Sequence, residues 1–184
     1  MKVTKPHSPD SPQAIALALG ANQGNLKTVF FDTAEALKQA GLEDIKLSPF
    51  YKTAPVGCAP GTPDFINAAL TGTWHESVEK LHERCKELEE ISGRPRNHAR
   101  NTSRSLDLDI IFFGQKSINT PELTIPHKEA ANRLFVLVPL ADIAGDWIFP
   151  GMGMTVAEIL EQYKSCPEFR QLCEGRIEAG QEFN

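Results

Sequence analysis

Asp107 and Asp109 stand one residue apart in the run SRSLDLDIIFFG, Ser103 to Gly114. Read as a strand, this run puts Leu106, Leu108 and Ile110 on one face and Asp107, Asp109 and Ile111 on the other. Two carboxylates side by side in apolar surroundings repel, so one pKa rises unless a cation neutralises them. Magnesium suits such a pair, because it takes one or two carboxylates and completes its shell with water and substrate phosphates. Just upstream, Arg94, Arg96, Arg100 and Arg104 crowd guanidinium groups together. Carboxylates for a metal beside arginines for anions predict a phosphate-handling site. The alternative is a pair of surface aspartates salt-bridged to those arginines. The direct continuation into Ile110, Ile111, Phe112 and Phe113 weighs against it and predicts a central strand with its polar end in a cleft.

A second candidate is the stretch Phe65–Thr73, which reads as a strand with Phe65, Asn67 and Ala69 on one face. A ring beside a carboxamide can stack on a flat heterocycle and hydrogen-bond its edge, although such pairs also occur as ordinary core. Other signals are weaker. The turn GANQGN after Leu19 lacks the glycine–lysine pattern of a phosphate loop and reads as a tight turn. His82 and Cys85 share a helix face but make no metal set by themselves, and Cys58, Cys85, Cys166 and Cys173 form no zinc or C-x-x-C spacing. Reduced thiols in the cytoplasm are the simplest reading.

The elements that would position these residues follow in order. Residues 1–13, with their prolines and serines, read as a disordered lead-in, and 14–164 as one domain. Ala14–Leu19 is a short buried strand, and the helix after GANQGN places Leu26, Val29, Phe30, Leu37 and Ala40 inward before Gly41 ends it. Ile45–Tyr51 is a second strand, followed by the Pro/Gly-rich loop from Thr53 to Asp64. Ser77–Ser92 is a helix whose stripe is Val78, Leu81, Cys85, Leu88 and Ile91, with Glu87, Glu89 and Glu90 on a solvated face or toward the next loop. The basic loop GRPRNHARNTSR, which lacks a hydrophobic anchor, suits a lid over the aspartates. Beyond the Asp strand come two short extended pieces at Ile118-Asn119 and Leu123-Thr124. A helix follows over Leu134–Ile143, bent or broken by Pro139. A capping box at Thr155–Glu158 starts a last helix to about Tyr163. No role is assigned to 165–184.

Strand, helix, strand, strand, helix, strand is the split βαβ order of ferredoxin-like α+β sandwiches. This predicts a mainly antiparallel βαββαβ sheet with two helices on one face and C-terminal additions. The two most apolar strands, the first and the fourth, are expected at its centre.

The chain of 184 residues carries a net charge of −5. That balance argues against a dedicated nucleic-acid partner, and no apolar run is long enough for a membrane span.

Several motifs together resemble one family. R-x-L-D-L-D-I-I-x-F-G (Arg104 to Gly114) is similar to the hallmark of the 6-hydroxymethyl-7,8-dihydropterin pyrophosphokinases. It is joined, in the family's order, by G-x-N (Gly20, Asn22), F-Y-x-T-x-P-x-G (Phe50 to Gly57), P-D-F-I-N-A (Pro63 to Ala68), G-R-x-R (Gly93 to Arg96) and P-H…R-x-F-V-L-x-P-L (Pro126 to Leu140). The resemblance spans about Ile15 to Leu160. It implies transfer of a pyrophosphoryl group from ATP to the hydroxymethyl oxygen of the pterin, with release of AMP, in folate biosynthesis. It implies two magnesium ions on Asp107 and Asp109, and phosphate contacts and catalytic roles for Arg94 and Arg104. It places Glu89, Arg96, Ile110, Thr124, His127 and Arg133 along the ATP site. Thr53, Ala54, Val56, Phe65, Asn67 and Phe135 would bind the pterin, with Phe65 and Phe135 clamping the ring and Asn67 reading its amide edge. A cytoplasmic monomer is the family's expectation. Two departures stand out. Asn101 lies in the arginine loop where the family often has a tryptophan, and Lys128 follows Pro126-His127 where an aromatic or small residue is common.

Overall fold

The computed structural model describes residues 11–55, 60–93 and 105–178. β1 (Gln13–Ala21) sends Ile15, Leu17 and Leu19 into one core and Ala16 and Ala18 into another. The glycine turn leads into α1 (Leu26–Gln39), where the Asn25 side chain accepts a hydrogen bond from the Thr28 N–H.

The expected strand over Ile45–Tyr51 is broken in two, β2 (Glu43–Leu47) and β3 (Phe50–Thr53). At the break the Ser48 hydroxyl donates to the Pro49 carbonyl and accepts from the Ala69 N–H. Pro49 has no N–H with which to continue the ladder. Both pieces pair antiparallel with β4 (Phe65–Trp74), which also pairs antiparallel with β1.

α2 (Val78–Ile91), capped by Ser77, leads through residues outside the described range to β5 (Asp107–Phe113), which is antiparallel to β1. A small hairpin, β6 (Ile118–Asn119) and β7 (Thr124–Ile125), follows. α3 (Leu134–Ala144) continues through Pro139 without a break, and α4 (Val156–Glu161) begins at the expected capping box. α5 (Pro167–Glu174) and β8 (Arg176–Ile177) come last.

The main sheet runs β5-β1-β4-β3-β8, with β2 also on β4. This is the ferredoxin-like order, with β1 and β4 at its middle. β5, expected at the centre, borders the sheet instead. Its apolarity has a different source, since both of its faces are covered. Leu106, Leu108 and Ile110 join α1 and α2 in one core, while Ile111 and Phe112 join α3 and α4 in the other. The alternation of the Asp strand holds as far as Ile111. There Ala16 opposes Phe112 while Leu17 opposes Ile110, so Ile111 is the extra residue of a bulge. The helices thus cover both faces, α1 and α2 on one and α3, α4 and α5 on the other. The alanines of β1 on the second face leave room for α3. Among the described residues, no helix is long and apolar enough to cross a membrane.

Candidate active site

Antiparallel pairing brings the end of β1 beside the beginnings of β4 and β5 and the end of β3. One row of directly opposed residues crosses the sheet there: Asp107, Gly20, Asn67, Tyr51. Neighbouring strands lie about 4.8 Å apart, so the backbones of Asp107 and Asn67 are separated by roughly 10 Å. Gly20 floors the gap. A Cβ built on it would lie 3.5 Å from Asn67 Oδ1 and 3.9 Å from Asp107 Cβ. Two polar side chains therefore lean over a position with no side chain of its own, on the α3 side of the sheet.

On the Asp side, burial first and the neighbouring Asp107 second raise the Asp109 pKa, while His127 and Lys86 oppose the shift. Asp109 stands opposite Ala18, two residues inward from the row. Between the two aspartates, the Leu108 N–H donates to Glu89 Oε1 at 2.8 Å. Glu89 Oε2 accepts from Lys86 Nζ at 2.7 Å. Glu89 is only 3 % exposed, whereas Ile91 is 78 % exposed. The assignment of Glu89 to a solvated face and of Ile91 to the apolar stripe is thus reversed. α2 meets β5 at Glu89 through the Leu108 N–H, whereas Ile91 at its end faces solvent. Lys86 was missed by the sequence reading, because only the contact with Glu89 reveals it.

On the Asn side, Asn67 is buried, and its Nδ2 donates to Thr53 Oγ1 at 2.8 Å and to the Tyr51 carbonyl at 3.4 Å. Phe65 opposes Thr53 and is half-buried on the same face as Asn67. Asn22, also buried, donates to the Pro63 carbonyl at 3.2 Å and ties the turn after β1 to the entry of β4. Its place in the G-x-N motif was the signal for it.

The remaining assigned residues fall as follows. Phe135 lies in the first turn of α3, with the Arg133 guanidinium 5.6 Å from its ring centre. Thr124 is on β7, and Ala54 directly follows β3. The Ile110 side chain is buried in the α1–α2 core, on the opposite face from the aspartates. Lys128 is exposed. Arg94, Arg96, Arg104, Val56 and Asn101 lie outside the described residues. Cys85, Cys166 and Cys173 are free thiols, and burial pushes that of Cys85 up to about 12, which makes it a packed, unreactive group. Among the described residues no cluster of three or more His, Cys, Asp or Glu side chains could enclose a metal ion. Among the described residues, a metal here would rest on the aspartate pair.

A family model described as 7,8-dihydro-6-hydroxymethylpterin-pyrophosphokinase matches residues 16–145. A 2-amino-4-hydroxy-6-hydroxymethyldihydropteridine pyrophosphokinase of Synechocystis sp. is 36 % identical over 162 residues, 85 % of this chain and 82 % of that one. One from Haemophilus influenzae is 34 % identical over 148 residues, 80 % of this chain and 91 % of its own. Among solved structures, wild-type HPPK-DHPS of Plasmodium falciparum with pteroate aligns with a TM-score of 0.68 at 14 % identity. The alignment covers 92 % of this chain and 48 % of that one, so the chain spans about half the length of this structural relative.

Proposed function

The chain belongs to the 7,8-dihydro-6-hydroxymethylpterin-pyrophosphokinase family, and we propose that its chemistry takes place over the Asp107–Gly20–Asn67 row. In this reading the pterin's hydroxymethyl oxygen attacks the β-phosphorus of ATP, the pyrophosphoryl group moves to that oxygen, and AMP leaves. The pterin lies on the Asn67 side and the nucleotide on the Asp109 side. The single observation that carries the reading is the glycine floor between a carboxylate pair and an oriented carboxamide.

The donor set fits magnesium. Asp107 and Asp109 supply hard oxygen ligands, and too few of them to enclose the ion, which leaves positions for phosphate oxygens. The raised pKa of Asp109, set first by burial and then by Asp107, marks a site where a bound cation would favour the ionised pair. Magnesium bound there would neutralise charge on the phosphate chain. Two ions are expected, because the attacking and the departing oxygens both need stabilisation.

The protein's own groups do the rest. Glu89 holds the strand edge between the aspartates through the Leu108 N–H. Thr53 and Tyr51 hold the Asn67 amide so that its oxygen lies over Gly20, within reach of a ring N–H. Phe65 and Phe135 bound the ring position, and Val56 and Ala54 add backbone contacts at its edge. Arg94 and Arg104 supply positive charge as oxygens of the phosphate chain become more negative. Arg96, Arg133, His127, Thr124 and Glu89 line the nucleotide, and Ile110, whose side chain is buried in the α1–α2 core, contributes only its backbone. A loose phosphoryl-transfer transition state asks little of a general base. The enzyme works as a monomer in the cytoplasm.

Product analysis tests the reading. The protein is incubated with ATP, magnesium chloride and 6-hydroxymethyl-7,8-dihydropterin, and nucleotides are separated by chromatography. AMP that requires both pterin and magnesium is expected. ADP, or AMP formed equally well without pterin, would overturn it.

A further inference from the structure

The last described segment, which the motif pattern left without a role, is built into the sheet. β8 pairs antiparallel with β3, Phe50 opposite Ile177 and Tyr51 opposite Arg176. The Lys52 N–H donates to the Gly175 carbonyl at 2.9 Å. Gly175 ends α5 with φ −80°, a conformation open to any residue. Its glycine answers to space instead. A Cβ there would lie 2.6 Å from the Lys52 carbonyl oxygen, closer than packed atoms tolerate. Leu172 on α5 is buried in the α3 core, which anchors the unit one helical turn before that contact. Without β8, the outer edge of β3 has no strand partner among the described residues.

β3 carries the groups that orient Asn67. Its Thr53 hydroxyl and Tyr51 carbonyl both accept hydrogen bonds from the Asn67 amide nitrogen. Arg176 therefore extends the active-site row by one strand, to Asp107, Gly20, Asn67, Tyr51, Arg176. A second restraint acts from α3, where the Tyr51 hydroxyl donates to Asp142 Oδ2 at 2.5 Å. Exposed side chains add less. Lys52 Nζ lies 3.3 Å from Asp64, at the entry of β4, but both side chains are about half in solvent.

We infer that the α5–β8 unit is a positioning clamp for the pterin half of the site, fixing β3 so that Thr53 and Tyr51 hold the Asn67 carboxamide in its reading orientation. The inference rests on the proposed placement of the pterin at Asn67. The aspartates on β5 lie on the far side of β1 and β4, so the clamp does not act on the nucleotide half.

Gly175→Ala tests it in the full chain, because the added methyl must push β8 away from Lys52 while leaving the helix end allowed. Leu172→Ala, which loosens the anchor by another route, is the second variant. The expected result is faster hydrogen exchange at the Lys52 amide and a pterin KM raised about fivefold, with the ATP KM and kcat unchanged. A part that only stabilised the fold would lower the melting temperature without splitting the two KM values. Unchanged pterin KM in both variants, or an equal rise in both KM values, would overturn the clamp. Phe65→Ala run in parallel keeps the two ideas apart. A pterin KM that rises in Phe65→Ala but not in the Gly175 and Leu172 variants refutes the clamp alone. A pterin KM unmoved by Phe65→Ala refutes the pterin placement, and the clamp's stated purpose with it.

Discussion

Asp107 and Asn67 face each other across Gly20, one strand to either side of it, and both side chains approach the place where that residue's Cβ would be. The relationship joins the metal half of the proposed site to the pterin half through one residue of one strand. It also makes Gly20 the most economical point at which to disturb both.

Gly20→Val is expected to fold, since only Asn67 Oδ1 and Asp107 Cβ come within 4 Å of a Cβ there, both at ordinary contact distances. Its kcat/KM should fall by about tenfold or more, because the branched side chain fills the space between the two halves. Circular dichroism and steady-state kinetics on the same preparation check both parts. Gly20→Ala, whose Cβ meets only ordinary contact distances of 3.5 and 3.9 Å, should lie between.

Phe65→Ala should raise the pterin KM by about tenfold or more and leave the ATP KM within about twofold, since loss of an aromatic stacking face removes on the order of 1 kcal/mol beyond the apolar area lost. Initial rates with each substrate varied in turn settle the order. A larger effect on ATP would place the ring on the wrong half.

Glu89→Ala leaves the Leu108 N–H unsatisfied beside Lys86 at the edge of β5. A destabilisation of about 2 kcal/mol is expected, measured by denaturant unfolding. Glu89→Gln keeps an acceptor for Leu108 and should recover part of that loss.

The pH dependence of stability follows from Asp109. Its folded pKa is raised, so without metal the folded state holds a proton that the unfolded chain has released. Between the unfolded and the folded pKa, metal-free stability therefore falls as pH rises. Magnesium should reverse this trend by binding the ionised pair. Thermal unfolding at stepped pH, with and without magnesium chloride, checks it, and Asp109→Asn should remove both the slope and the response.

The elements were legible where one local rule governed. The alternation of DLDII placed both aspartates on one face, and the capping box at Thr155–Glu158 marked a helix start that the structure keeps. Features that depend on a partner distant in sequence were not legible. An apolar strand reads alike whether it is central or bordering but covered on both faces, and β5 is the second kind. Glu89 looked solvated because its partner, the Leu108 N–H, is 19 residues further along the chain. Pro49, which splits the expected strand at Ser48, carried a signal that was passed over. So did the C-terminal segment, where Pro167 opens α5 and Gly175 closes it. Its pairing with β3 depends on strand edges that only the assembled sheet defines.

The most direct test of the account is turnover by Asp107→Ala and Asp109→Ala at saturating ATP, pterin and magnesium, with folding verified by unfolding curves. AMP formation is expected to fall by about a hundredfold or more in each variant, with native-like cooperative unfolding. Near-normal AMP formation by either folded variant would contradict the assignment of the metal to this pair, and with it the placement of the chemistry over Gly20.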